Sequence, residues 1–135
     1  MTELVTDIRD GLAANLAALT GYGVFSYVNP GAPLPAIWVY PDEIEFNESV
    51  GTDTRQFIIE ARLGSVSERS AQENADALMG NGTFSIRKAL ESDTLAIGDG
   101  EWQVNVTKCS GYRYDAQETL IVQWTVELST PNLDT

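Results

Sequence analysis

Three stretches of strict two-residue alternation constrain this chain most. In "TRQFIIEARLG", residues 54–64, Phe57, Ile59, Ala61 and Leu63 fall on one side, and Gln56, Ile58, Glu60 and Arg62 on the other. "EWQVNVTK", residues 101–108, sets Trp102, Val104 and Val106 against Glu101, Gln103, Asn105 and Thr107. "TLIVQWTVEL", residues 119–128, does so again with Leu120, Val122, Trp124, Val126 and Leu128. Successive side chains leave a strand on opposite faces, so each stretch offers one face to a core and one to water. Three long strands of this kind predict an antiparallel sheet with one wet face.

Such a sheet needs a cover. Residues 3–19 place Leu4, Val5, Ile8, Leu12, Leu16 and Leu19 at helical spacing, and their four interspersed alanines favour a helix. Gly21 and Gly23 stand where that helix must end. In the middle of the chain, Ser65 and Glu68 have capping-box spacing before "SERSAQENADALM", and Gly80 follows it. Thr83 then stands at the cap position of "FSIRKALES", whose packing set is Phe84, Ile86, Ala89 and Leu90. Two further strands are expected, "VFSYV" at 24–28 and "AIWVY" at 36–40, joined by the proline-rich loop "NPGAPLP". Pro41 is expected to stop the second of these.

Helices and strands segregate along the chain. The fold class this implies is α+β: a mostly antiparallel sheet with an N-terminal helix and a central helix pair packed on one face. The 135 residues suit a single domain. Within it we expect an N-terminal helix over 2–20, strands over 24–63 with an acidic arm at 41–53, a helix pair over 65–92, closing strands over 101–129 and a frayed tail at 130–135.

Charge and composition exclude more than they assign. Twenty acids against eight bases give a net charge of −12, with only Arg87 and Lys88 adjacent, which argues against a protein that grips a nucleic-acid backbone. The chain has no histidine, and so lacks the commonest general base and metal ligand. The single cysteine, Cys109, cannot form an internal disulfide, falls on the side of its strand away from Trp102 and has no histidine to activate it. The acidic start "MTELVTDIRDG" is unlike a secretory leader, and no apolar run is long enough for a membrane helix. We expect no enzyme activity, no cofactor and no metal, and folding in the cytosol.

Two sequence features stay open as candidate sites. Asp42, Glu43, Glu45, Glu48 and Asp53 crowd into residues 41–53 without a Lys or Arg. A calcium loop would use such oxygen ligands, but the EF-hand order with its central glycine and closing glutamate is missing. A glycosidase-like pair would need a cleft that raises one carboxyl pKa, and these acids read as exposed. A solvated acidic loop fits better. The second feature is the strand "AIWVY", which carries Ile37 and Val39 on one side and Trp38 and Tyr40 on the other. It is either buried on both faces under the N-terminal helix or shared with a neighbouring subunit. Tyr112 and Tyr114, in "GYRYDAQET", are further candidate contact residues.

Taken as a whole, the pattern resembles a known family. "YVNPGAPLPAIWVYPDEIEFN", "LGSVSERSAQENADALMGNGTFSIRKALESDTLAIGDGEWQVNV" and the closing "GYRYDAQETLIVQWTVEL" together resemble the tail terminator proteins of long-tailed bacteriophages, also called minor tail or head-tail connector proteins. The resemblance covers roughly residues 3–128 and implies a homo-oligomeric ring, typically a hexamer, that caps the tail tube, ends its polymerisation and offers a surface to the filled head. The partners it implies are further copies of itself, the tail tube protein and a head-completion or neck protein, with DNA only as passing cargo and no membrane. It places the protein in the virion, assembled in the bacterial host cytoplasm. Other neck components, the head-tail stopper or adaptor, fit the same pattern, and a small acidic monomeric binding module is the alternative from a different class. In a ring that passes DNA, the carboxylates at 42–53 would line the lumen and repel phosphate, or form an arm that touches the tube or the next subunit.

Overall fold

The computed structural model describes residues 5–45, 52–82, 85–91, 95–97 and 100–131. The first helix, α1 (Val5–Leu16), buries Ile8, Leu12 and Leu16 completely, as one apolar stripe. It ends short of residue 20. Ala18 N–H turns to the Asn15 carbonyl and Leu19 N–H to that of Leu16, and Gly21, at φ +94°, redirects the chain.

A short strand, β1 (Gly23–Phe25), then pairs in parallel with β2 (Ala36–Glu45). β1 does not reach the expected residue 28, because the Ser26 carbonyl is taken by the Arg9 guanidinium at 2.7 Å. β2, by contrast, runs straight through Pro41, where the sequence predicted a stop. The reason is the direction of the missing donor. Gly23 N–H bonds to the Pro35 carbonyl, so odd-numbered residues of β2 turn their backbone groups toward the β1 side. Beyond Trp38, β1 has ended and that side is an open edge, so Pro41 forfeits no ladder bond. A bulge between Pro41 and Glu43 follows.

β2 folds back on β3 (Thr52–Ser65) as a long antiparallel hairpin, with Glu45 opposite Thr54. β3 in turn pairs along its length with β7 (Thr119–Pro131). On the far side of β7 lie β5 (Gly100–Cys109) and the two-residue β6 (Arg113–Tyr114), and β4 (Leu95–Ile97) pairs with the start of β5. The strand order is β1-β2-β3-β7-β5-β4, antiparallel except for the first pair, with β6 beside β7.

The alternation in the sequence becomes the core. Phe57, Ile59, Ala61, Leu120, Val122, Val126 and Leu128 are fully buried, and with Ile37, Val39 and Trp124 they meet α1 and the helix pair in one cluster. Each large side chain buried in this way contributes about 1.5–3 kcal/mol relative to exposure. The helices α2 (Arg69–Met79) and α3 (Ile86–Glu91) supply Ala71, Ala75, Leu78, Ile86 and Leu90 to the same cluster. α1 crosses the sheet, touching β1 and β2 toward one edge and β4 at the other. The fold is α+β with its helices on one face of the sheet. No helix among the described residues is long and apolar enough to cross a membrane.

Both caps of the helix pair differ from expectation. Ser65 still belongs to β3 and does not cap α2. The capping position is Glu68, which makes no side-chain cap bond, while the Ser65 hydroxyl accepts from Ser67 N–H instead. A register shift after Arg62, with Gly64 at φ +134°, uses the residues the capping box would have needed. For α3 the cap is Ser85, fully buried, whose hydroxyl accepts from Lys88 N–H at 3.1 Å and donates to the Gly82 carbonyl at 2.8 Å. Thr83 and Phe84 lie outside the described residues. A further bulge in β5, between Val106 and Lys108, sets Cys109 opposite Trp124, on the side its sequence position did not predict; its thiol is exposed. At the same bulge Val106 N–H leaves the ladder and donates to the Glu91 carboxylate of α3 at 2.8 Å.

Candidate functional site

The face of the sheet away from the helices was expected to be wet. At its centre it is not. Trp38, Glu60 and Gln123 stand side by side on β2, β3 and β7, since Trp38 is in register with Glu60 and Glu60 with Gln123. Arg62, two residues on from Glu60, projects from the same face. Its guanidinium lies 5.3 Å from the Trp38 ring centroid, a cation–π contact that covers the indole. Trp38 is left 2% exposed, so a large aromatic is buried on the outer face by a single chain.

Glu60 is the hub beneath this cover. One carboxylate oxygen accepts from Arg62 Nε at 2.8 Å, and the other accepts from Gln123 Nε2 at 2.7 Å and lies 3.5 Å from the Tyr40 hydroxyl. Gln123 Nε2 also donates to the Tyr40 oxygen at 3.1 Å. Arg62 reaches onward to Asp115 at 3.2 Å. Asp115 in turn organises the turn before β7, accepting from Gln117 N–H and Thr119 N–H at 3.0 Å each. Burial, and then the charge and hydrogen bond of Glu60, raise the Tyr40 phenol above its ordinary pKa. The Thr119 N–H bond, with help from Gln117 N–H and the Arg62 charge, outweighs desolvation and lowers the Asp115 carboxyl. The result is a polar plate, closed on itself, in which one guanidinium bridges two carboxylates.

The sequence-derived candidates therefore separate. Trp38 and Tyr40 do lie together, on the opposite face to Ile37 and Val39, which pack in the helix-covered core. Asp42 is exposed beside them at the start of the acidic stretch. Glu43 and Glu45 take register positions opposite Gln56 and Thr54, and Asp53 one opposite Thr130. Glu48 lies outside the described residues. Tyr112 belongs to the helix side, where its hydroxyl donates to Asp76 of α2 at 2.6 Å and sits 3.2 Å from the Gln72 carbonyl. That bond raises the Tyr112 phenol above its ordinary pKa. Tyr114 is 68% exposed. Among the described residues no three His, Cys, Asp or Glu side chains converge as a metal site.

Glu60, Arg62, Gln123 and Asp115 are the members that sequence reasoning passed over. The signal for the first two was present: an acid and a base two apart on one strand face, beside an outward tryptophan on the next strand.

Apart from the buried Arg55, the bases divide into two groups. Arg9, Arg62 and Arg69 are held by internal partners, the last by Glu73 at 2.7 Å. Arg87 is steadied by Glu91 at 2.9 Å and Asn81 at 3.4 Å, and with Lys88 these residues line an open cleft of about 350 Å³. Lys88, Lys108 and Arg113 make no ion pair among the described residues, and all three are exposed.

No protein-family model matches the chain, and no curated protein is significantly similar in sequence. Its fold, however, is found among solved structures. A chain from the virion of a native gene transfer agent particle superposes with a TM-score of 0.63 at 16% identity. The match covers 92% of this chain and 94% of that one, so the two share the fold from end to end.

Proposed function

We propose that this protein is a structural component of a virion and acts as a tail terminator. It forms a ring, a hexamer, on the end of the tail tube, stops tube growth and offers the surface to which the filled head joins. The observation that carries this reading is the end-to-end likeness of fold to a chain of a gene transfer agent virion. The role is one of shape and contact, not catalysis, in keeping with a site made of matched hydrogen bonds and ion pairs. The net charge of −12 suits a protein past which DNA moves, because carboxylates repel phosphate and do not hold it.

The test is light scattering and negative-stain imaging of the purified protein, alone and with tail tube protein. Rings, or caps on tubes of regulated length, are the expected result. A monomer that leaves tube ends bare and tube length unregulated would overturn it. Binding to a head-completion protein instead would identify another neck component, the stopper or adaptor.

A further inference from the structure

The sheet carries opposite charge at its two sides. On one side, β2 and the start of β3 have no Lys or Arg between residues 36 and 54, while Asp42, Glu43 and Glu45 follow one another along the open edge. On the other side lie β5, β6 and α3. The three exposed bases without an ion pair among the described residues are all there: Lys88 on α3, Lys108 on β5 and Arg113 on β6, with Arg87 next to Lys88. β3 and β7 separate β2 from β5, so the two sides are about 14 Å apart across the strands. Arg62, Arg69 and Arg87 are paired with acids of their own chain; among the described residues, Lys88, Lys108 and Arg113 are not.

Complementary patches on opposite sides of one chain cannot satisfy each other within that chain. They can do so between copies, by a head-to-tail contact, and head-to-tail contacts close into rings or continue as filaments. We infer that the acidic edge of β2, with Asp42 at its exposed start, docks against the Lys88–Lys108–Arg113 side of a second copy of this chain. The cleft beside Lys88 receives a carboxylate there. Arg87 is held ready by Asn81 and Glu91, and Glu91 is itself fixed to the sheet through Val106 N–H. The plate over Trp38 is not needed for this contact, because its charged groups already have partners within the chain.

The inference rests on the ring reading, and its test separates the two. Three variants are compared with wild type for assembly, with and without tail tube protein: Asp42→Lys with Glu43→Lys, Lys88→Glu with Lys108→Glu, and all four substitutions together. Each one-sided reversal is expected to weaken the copy–copy contact on the order of tenfold or more, and the fourfold swap to restore it. Wild-type rings should also loosen between 0.05 and 0.5 M salt, on the order of the shortening of the Debye length. Asp42, Lys88 and Lys108 are exposed, and unchanged far-UV circular dichroism will verify the fold of every variant. One-sided variants that assemble like wild type, or a fourfold swap that assembles no better than either, overturn the docking inference alone. A wild-type protein that never assembles, even on tubes, overturns both readings.

Discussion

Replacing Glu60 by alanine tests whether the plate on the outer face stabilises the fold. Glu60 accepts short bonds from Arg62 and Gln123, at 2.8 and 2.7 Å, and its side chain is 8% exposed. A hydrogen bond to a charged group contributes about 1.5–3 kcal/mol, and breaking a fully buried ion pair costs about 3–5 kcal/mol. Arg62 is 29% exposed and keeps Asp115, so solvent and the second carboxylate recover part of that. The expected cost is about 2–3 kcal/mol, near the lower of the two ranges. For a chain of 135 residues this lowers the melting temperature by about 7–10 °C. Glu60→Gln retains the shape and one acceptor, and should lose less than half as much. Thermal unfolding followed by far-UV circular dichroism reads both. An alanine variant that melts within about 2 °C of wild type would refute the reasoning, since the bonds would then merely replace equivalent bonds to water.

Three further outcomes are expected. Ser85→Ala removes a cap that both accepts from Lys88 N–H and donates to the Gly82 carbonyl, and should cost about 1–2 kcal/mol in urea unfolding. Gly64→Ala forces a side chain into a φ of +134° and should cost about 1–3 kcal/mol by the same measure, although the nearest atom to the new Cβ is an unobstructive 3.6 Å away. The folded carboxyl of Asp115 titrates below its ordinary 3.8, so its contribution is present above that value and disappears as pH falls through the lower folded one. Asp115→Asn should therefore lower stability at neutral pH and flatten the acid limb of a melting-temperature profile from pH 7 to 3; a parallel downward shift at every pH would contradict this.

What could be read from the sequence depended on the range of the interaction. Phe57, Ile59 and Ala61, or Leu120, Val122 and Trp124, declare their face through their own neighbours, because a strand cannot bury one side without that alternation. The stripe Ile8–Leu12–Leu16 is local in the same sense. Pro41 was misread because its effect depends on which way its nitrogen faces, and that is decided by where β1 ends. The cap of α2 failed because the register shift at Gly64 drew Ser65 into the sheet. The plate was hidden for a related reason. Trp38, Glu60 and Gln123 are brought side by side only by strand pairing across long separations, and each alone reads as an ordinary residue on an outer face. Arg62 and Asp115 are 53 residues apart in the chain. Composition revealed the charge imbalance, but its division between two sides of the sheet required the strand order.

The two long edges of this sheet bear on how errors are corrected at high concentration. A strand that offers a free row of N–H and C=O groups recruits identical copies into ribbons that grow without limit and seldom let go. Here Pro41 has no N–H to offer on one side, and on the other Val106 has already given its N–H to Glu91. In the proposed ring, copies then recognise one another through side chains, whose contacts form and break quickly. A copy seated out of place in that ring can leave and try again, so the proposed assembly can proofread itself.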